Sequence, residues 1–231
     1  LCVPDSLFPL YAGKVPELIT HPFADENGAL KFDEKDFEKI DGVNAVAFGM
    51  GCGVSENTYE IARRLLKNFK GVLLIDADGL NSLAAFGVKA LKNSGADVVV
   101  TPHVKEFSRL TGRSVEEIEN DMIGSAKAFA KEYGVTVLLK SAVSVVAGKE
   151  GVLLNTTGNS GMAKGGSGDV LSGAVAGIAA RGFPAFDAAA AGAFLCGLAG
   201  DLAAKEQNEY TITPSDTVAH FSQAIDEIAD S

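Results

Sequence analysis

The sequence predicts an α/β fold: a doubly wound, mostly parallel sheet flanked by helices, with an antiparallel hairpin at one edge. Three observations predict it. From Val43 onward short β-branched runs alternate with helical patterns, the signature of strands joined by crossover helices. The earlier runs are apolar almost throughout, as strands covered on both faces must be. The last two runs flank Gly148-Lys-Glu-Gly151, whose glycines and charge suit a tight turn between antiparallel neighbours.

Along the chain, Leu1-Cys-Val-Pro4 reads as the tail of a strand entering a loop. No initiator methionine or signal peptide stands before it, and the expectation is a natural chain that starts earlier. Strands are expected at 45–48, 72–75, 97–100 and 135–139, and the hairpin strands at 143–147 and 152–155. Helices are expected at about 56–68, 115–133, 169–181, 184–206 and 214–229. Ser114 before Val-Glu-Glu, Pro184 near a helix start, and Thr213-Pro214-Ser-Asp supply start signals. No repeat, low-complexity segment or linker divides the 231 residues, so residues 1–231 are expected to form one domain.

A hydrophobic content of 47% with 22% charged residues is that of a globular chain, which excludes global disorder. The formal net charge of -10 argues against nucleic acid or an anionic membrane as main partner, since both select for Lys and Arg excess. Cys2, Cys52 and Cys196 are widely spaced and contain no CxxC pair, so neither a disulfide framework nor a zinc site is expected, and a cytoplasmic setting fits. The most apolar stretch, 185–202, is rich in Ala and Gly and interrupted by Asp187; it reads as a packed internal helix rather than a membrane span.

The strongest chemical signal is Asn155-Thr-Thr-Gly-Asn-Ser-Gly-Met-Ala-Lys-Gly-Gly-Ser-Gly-Asp169. It leaves a strand, crosses a glycine-dense loop and opens a small-residue helix. Glycines let backbone amides approach a phosphate without Cβ interference, and the helix start favours negative charge. No Gly-Lys-Ser/Thr closes it, so it is not a P-loop. Asp169 follows directly. A carboxylate there repels an anion unless a base is wanted, one that takes a hydroxyl proton while the amides of Gly166, Ser167 and Gly168 hold the phosphoryl charge. A plain helix cap is the alternative reading.

Four more segments follow predicted strands, where doubly wound sheets bind ligands. In Thr101-Pro-His-Val-Lys-Glu-Phe107, His103 suits a phosphate or ribose and Glu106 a magnesium ion, or both are first-turn surface residues. Gly49-Met-Gly-Cys-Gly53 allows close backbone approach, or is a turn. In Asp76-Ala-Asp-Gly-Leu-Asn81 either aspartate could organise magnesium or a hydroxyl, and capping explains one of them equally well. Lys140-Ser-Ala-Val-Ser144 offers a cation and hydroxyls for nucleotide phosphate, or ordinary strand-exit polarity. Their common placement points to one shared site for phosphoryl transfer.

Asn155-x-Thr-Gly-Asn-x-Gly-Met-x-x-Gly-Gly-x-Gly-Asp169, Thr101-Pro-His-x-x-Glu-Phe107 and Asp76-Ala-Asp-x-Leu-Asn81 together resemble the ADP/ATP-dependent NAD(P)H-hydrate dehydratases, a metabolite-repair family with the ribokinase-like fold. The likeness runs from about Val15 to the C-terminus. It implies a lyase that uses ADP or ATP with Mg2+ to phosphorylate the C6 hydroxyl of the S epimer of hydrated NAD(P)H, then eliminates phosphate. It also implies a homo-oligomer, a tetramer; the net charge of -10 already leaves no nucleic acid or membrane as partner.

By the resemblance, Asp169 is base and substrate contact, Gly166, Ser167 and Gly168 form the anion hole, and Gly168 also contacts nucleotide. Lys140, Ser141, Ala142, Val143 and Ser144 match a nucleotide-binding segment, His103 and Gly53 match substrate contacts, and Glu106 matches a magnesium-associated glutamate. Family members carry Pro-Gly where this chain has Val104-Lys105, Gly for Ser141, Thr for Ser144, and Pro-x-Leu around Met50 and Cys52. The resemblance further implies a strand, a glycine loop that supplies part of the substrate pocket, and a helix before the segment corresponding to Leu1. A ribokinase-like kinase of a small alcohol, such as a thiamine precursor or a sugar, is the alternative that uses the same base and hole. A nucleotide-binding module without catalysis is the second.

Overall fold

The structure is a computed structural model that describes residues 1–230. The N-terminal part is built from very short pieces: β1 (Cys2–Pro4), α1 (Phe8–Tyr11), β2 (His21–Phe23), β3 (Asp25–Glu26) and β4 (Ala29–Leu30). β1 pairs parallel with β2. β3 and β4 form a hairpin whose turn residues Asn27 and Gly28 both have positive φ, 54° and 83°, the twist that a two-residue turn needs. Asp36 locks this part: its buried carboxylate accepts from the Ala24 amide at 2.7 Å and from Lys39 Nζ at 2.7 Å.

The central sheet has six strands in the order β10-β9-β8-β7-β6-β5. β5 (Ala45–Phe48), β6 (Val72–Ile75), β7 (Asp97–Val100) and β8 (Thr136–Leu139) are parallel; β9 (Ser144–Gly148) and β10 (Gly151–Asn155) follow antiparallel. The hairpin therefore sits on an edge, as the Gly148 to Gly151 turn predicts. Helices α2 (Glu56–Asn68), α3 (Ala77–Phe86), α4 (Val104–Thr111), α5 (Val115–Asn120) and α6 (Met122–Tyr133) share one core with the sheet. The opposite face packs on α7 (Ser167–Ala180) and α8 (Ala185–Glu206), while α9 (Pro214–Ala219) and α10 (Phe221–Ala229) lie outside against α8.

Every residue of β6 is buried. Leu73 and Ile75 belong to the first core with Ile61, Leu65 and Leu83, and Val72 and Leu74 to the second with Val175, Ala188 and Ala189. Strand side chains alternate between faces, so both sides of this strand are paid in burial, about 2 kcal/mol for each large aliphatic.

The structure corrects several expected boundaries. The helix expected at 115–133 is two, because Asp121 leaves helical backbone at φ -149° and its side chain accepts from the Gly124 amide as a new N-cap. The helix expected at 214–229 breaks at His220. α7 begins at Ser167, so Ser167 and Gly168 lie inside the helix rather than before it. α3 and α4 are not among the expected helix ranges; they arise where a helix start at Asp76 or Asp78 and a first turn at His103 and Glu106 stood as alternatives. α8 is long and apolar enough to cross a bilayer by length and composition, yet 61% of its apolar window is buried inside the protein.

Candidate active site

The parallel strands bring their C-terminal ends to one side of the sheet, and each end turns with a feature its sequence dictates. At the exit of β5, Gly49 has φ 114°, and a Cβ there would lie 2.2 Å from the Asp76 carbonyl. Only glycine lets this strand end pass the next. Asp78 then holds the loop, its Oδ2 accepting from the Gly53 amide at 2.8 Å.

At the exit of β6, Asp76 is 2% exposed and fully committed. Its Oδ1 accepts from the Ala77 amide at 2.8 Å and from Lys140 Nζ at 2.9 Å, and its Oδ2 from Ser172 Oγ at 2.9 Å. The magnesium or hydroxyl role open to Asp76 in the sequence is thus occupied by internal partners.

After β7, His103 is the N-cap of α4. Its Nδ1 accepts from the amides of Lys105 and Glu106 at 3.1 and 3.2 Å, while Glu106 Oε2 accepts from the His103 amide at 2.9 Å. This is a capping box with a histidine in the place of Ser or Thr. With Nδ1 an acceptor, the neutral ring carries its hydrogen on Nε2, which lies 3.5 Å from Glu106 Oε1. Glu106 is buried, so one of its oxygens serves its own helix and the other faces His103.

After β8, Lys140 donates its amide to the Pro102 carbonyl at 2.8 Å, which carries the strand alignment on to His103. Ser144 closes the following turn: its Oγ accepts from the Ser141 amide at 3.3 Å and donates to the Ser141 carbonyl at 3.2 Å.

The glycine-rich loop is held by α8. Asn155 Nδ2 donates to the Ala193 carbonyl at 3.4 Å, Thr157 Oγ1 to the Phe194 carbonyl at 3.0 Å, and Asn159 Nδ2 to the Gly200 carbonyl at 3.0 Å and Asp201 Oδ1 at 2.9 Å. Lys164 Nζ donates to the carbonyls of Tyr210 and Ile212 at 3.1 and 2.5 Å. Gly166, at φ 94°, then turns the chain into α7. The Ser167 amide is used by the Lys164 carbonyl at 3.3 Å, and the Val170 amide by Gly166 at 3.1 Å. The amides of Gly168 and Asp169 are left in the first turn without a helical acceptor, a ready site for an anion. The Asp169 carboxylate has no hydrogen-bond or ion-pair partner among the described residues.

A cavity of about 890 Å3 opens between this loop, α8 and the ends of β7 and β8, a size suited to a nucleotide. It gathers His103, Lys140, Ser141 and Ala142, with Ser144, Ser167 and Gly168. Glu106 is buried beside it, Val143 is an exposed residue of the same turn, and Gly53 stands at the β5 end with Asp78. Gly166 and Asp169 flank the lining residues Ser167 and Gly168 on either side. Asn159, Lys164, Ser172 and Cys196 are the parts that sequence reasoning gave no role. Ser172 had a signal, the one polar side chain of α7 beyond its first turn, and it is fully buried. The Cys196 thiol lines the cavity, and burial pushes it up to about 12.

Among the described residues no three His, Cys, Asp or Glu side chains group to hold a metal. Magnesium in nucleotide sites needs only one or two carboxylates, because phosphates and water complete its octahedron. An ion arriving with a nucleotide would find one carboxylate next to the lining residue His103, that of Glu106, whose Oε1 faces His103 Nε2 at 3.5 Å.

Residues 7–223 match the family model of the NAD(P)H-hydrate dehydratases. The bifunctional NAD(P)H-hydrate repair enzyme Nnr of Moorella thermoacetica is 36% identical over 218 residues, covering 93% of this chain and 41% of that protein. The Nnr enzyme of Escherichia coli K12 is 35% identical over 201 residues, covering 87% and 36%. The chain thus spans about two fifths of these curated relatives. Among solved structures, the Bacillus subtilis ADP/ATP-dependent NAD(P)H-hydrate dehydratase co-crystallised with ATP/Mg2+ superposes with a TM-score of 0.79 at 24% identity, over 97% of this chain and 76% of that one. A ribokinase-like superfamily protein of Enterococcus faecalis gives 0.76 at 26%, over 94% and 72%. With nearly its whole length inside one family model and its architecture shared with these structures, the chain belongs to the NAD(P)H-hydrate dehydratase family and has the ribokinase-like fold.

Proposed function

We propose that this chain, with residues 1–231 acting as one domain, catalyses nucleotide-dependent dehydration of the S epimer of hydrated NADH or NADPH. The products are the restored dinucleotide, phosphate, and AMP or ADP. The observation that carries the reading is Asp169, an unpartnered carboxylate in the same helical turn as two amides without acceptors. A base beside an anion hole is what phosphorylation of a hydroxyl requires.

In this reading ADP or ATP fills the cavity along Lys140, Ser141, Ala142, Val143 and Ser144 and directs its phosphates to the start of α7. Asp169 takes the proton of the C6 hydroxyl as its oxygen attacks the terminal phosphoryl. The amides of Gly168 and Asp169 hold the charge that gathers on the phosphoryl oxygens. Departure of phosphate with loss of a ring proton restores the double bond. His103 presents Nε2 to the substrate and Gly53 its backbone. Glu106 is the carboxylate that would hold a magnesium ion brought by the nucleotide, and such an ion would neutralise phosphate charge. A homotetramer and a reducing, cytoplasmic setting belong to the same reading; the three cysteines are unbridged.

The test is recovery of reduced-nicotinamide absorbance from chemically hydrated NADH with ADP or ATP and magnesium. Turnover should require nucleotide and fall by about 10²-fold to 10⁴-fold in Asp169→Ala, with nucleotide binding retained. Nucleotide binding without recovery, together with phosphorylation of hydroxyethylthiazole or another small alcohol, would replace this reaction by the kinase reading. The fold is shared with the hydroxyethylthiazole kinase of Pyrococcus horikoshii, TM-score 0.66.

A further inference from the structure

Two lysines line the cavity: Lys164 is spent on backbone carbonyls, and Lys140, the one beside Gly168, has its ammonium bound to a carboxylate buried beneath the site. Asp76 Oδ1 accepts from Lys140 Nζ at 2.9 Å, and the Lys140 side chain is only 22% exposed. Asp76 is fixed in turn from two other elements. Ser172, fully buried in the second turn of α7, donates to its Oδ2 at 2.9 Å, and the Ala77 amide donates to its Oδ1. Ala77 holds φ 49°, a left-handed conformation that is unfavourable for a residue with a Cβ.

The pair lies against the anion hole. A methyl in place of the Gly168 hydrogen would stand 3.7 Å from both Asp76 Oδ2 and Lys140 Nζ. A carboxylate so close to an anion site weakens anion binding by its charge. It therefore opposes one function of the site, and its fixation by Ser172 and the Ala77 amide calls for a second function.

We infer that Asp76 is a positioning residue: held by Ser172 and Ala77, it fixes the Lys140 ammonium against Gly168, where the transferred phosphoryl gathers charge, at the expense of ground-state nucleotide affinity. This rests on the proposed reading of the α7 start as the phosphoryl site. Preorganised charge acts on the transition state, whereas a freed lysine can follow the bound nucleotide instead.

The experiment is a double-mutant cycle of Asp76→Asn and Lys140→Met, read by turnover of hydrated NADH and by calorimetric ADP affinity. Asp76→Asn should lower kcat about 10²-fold while ADP binds about fivefold tighter. In the Lys140→Met background it should change kcat less than about twofold, because the residues act as one unit. A structural strut would instead weaken turnover and ADP binding together, additively with Lys140→Met, and that outcome overturns the inference, as does an unchanged kcat. If wild-type protein binds ADP but restores no NADH, the proposed reaction falls while affinity still decides Asp76. Tighter ADP binding that needs Lys140 supports the inference, and weaker or unchanged binding overturns it. Should Asp76→Asn not fold, Ser172→Ala loosens the same carboxylate and carries the same cycle with smaller effects in the same directions.

Discussion

His103 shows how one side chain serves two ends. Its Nδ1 replaces the hydroxyl of an ordinary capping residue at α4, and its ring lines the cavity. Removing the cap and removing the ring are separable, because asparagine is a good N-cap with no Nε2. His103→Ala should lose about 1 kcal/mol in urea unfolding, and His103→Asn much less. Both should raise the KM for hydrated NADH, since both lack the Nε2 donor. The sequence offered a ligand and a surface first-turn residue as alternatives here; the geometry shows the capping residue and sets its ring at the cavity, where the ligand role is part of the proposal. Capping by a ring nitrogen is invisible to a search for Ser, Thr, Asp or Asn before a helix. The same limit hid the partners of Asp76, because Lys140 and Ser172 lie far along the chain and only the fold brings them together.

At the scale of elements, α8 is the frame of the cavity, and its glycines are where other parts press on it. A Cβ on Gly192 would meet Val175 Cγ2 at 2.5 Å, on Gly197 the Thr157 backbone carbon at 2.6 Å, and on Gly200 Met162 Sδ at 2.3 Å. The small residues of 185–202 thus serve close packing within the chain. These neighbours differ in how far they can yield. Met162 is a flexible thioether, whereas Thr157 is loop backbone. Gly197→Ala should weaken ADP binding by at least about tenfold and cost 1–3 kcal/mol of overpacking, roughly; Gly200→Ala should do less on both counts. Gly177 on α7 has nothing within 4 Å of a Cβ, so Gly177→Ala should add about 1 kcal/mol by helix propensity alone. Thermal unfolding and calorimetry check all three. Periodicity found α8 and the six sheet strands because they are long or wholly apolar. It gave no range to α3 and α4, ten and eight residues long, whose starts were legible only as capping and first-turn alternatives, and it ran through the breaks at Asp121 and His220, whose causes are single side chains and local backbone.

For the molecule as a whole, the parallel order and the position of the site at the strand ends were legible, because alternating apolar runs admit few other layered solutions. The N-terminal strands were not, apart from β1, since pieces of two or three residues carry no period. What ties the whole together is a set of polar bonds between distant parts of the sequence. Lys140 reaches Asp76 across 64 positions, Ser172 reaches it across 96, and Asn44 Nδ2 reaches the Ala180 carbonyl across 136.

Bonds of that span close large loops, and they become favourable only after the strands and helices between them are in place. The Asp76 junction should therefore be among the last parts of the molecule to assemble. In refolding from urea, far-ultraviolet circular dichroism should recover first and ADP binding afterwards, in a separate slower phase. Simultaneous recovery would show that the junction forms with the secondary structure. If the phases do separate, a chain leaving the ribosome acquires its shape before it acquires the proposed nucleotide site, and a ligand of that site would select only molecules that have finished folding.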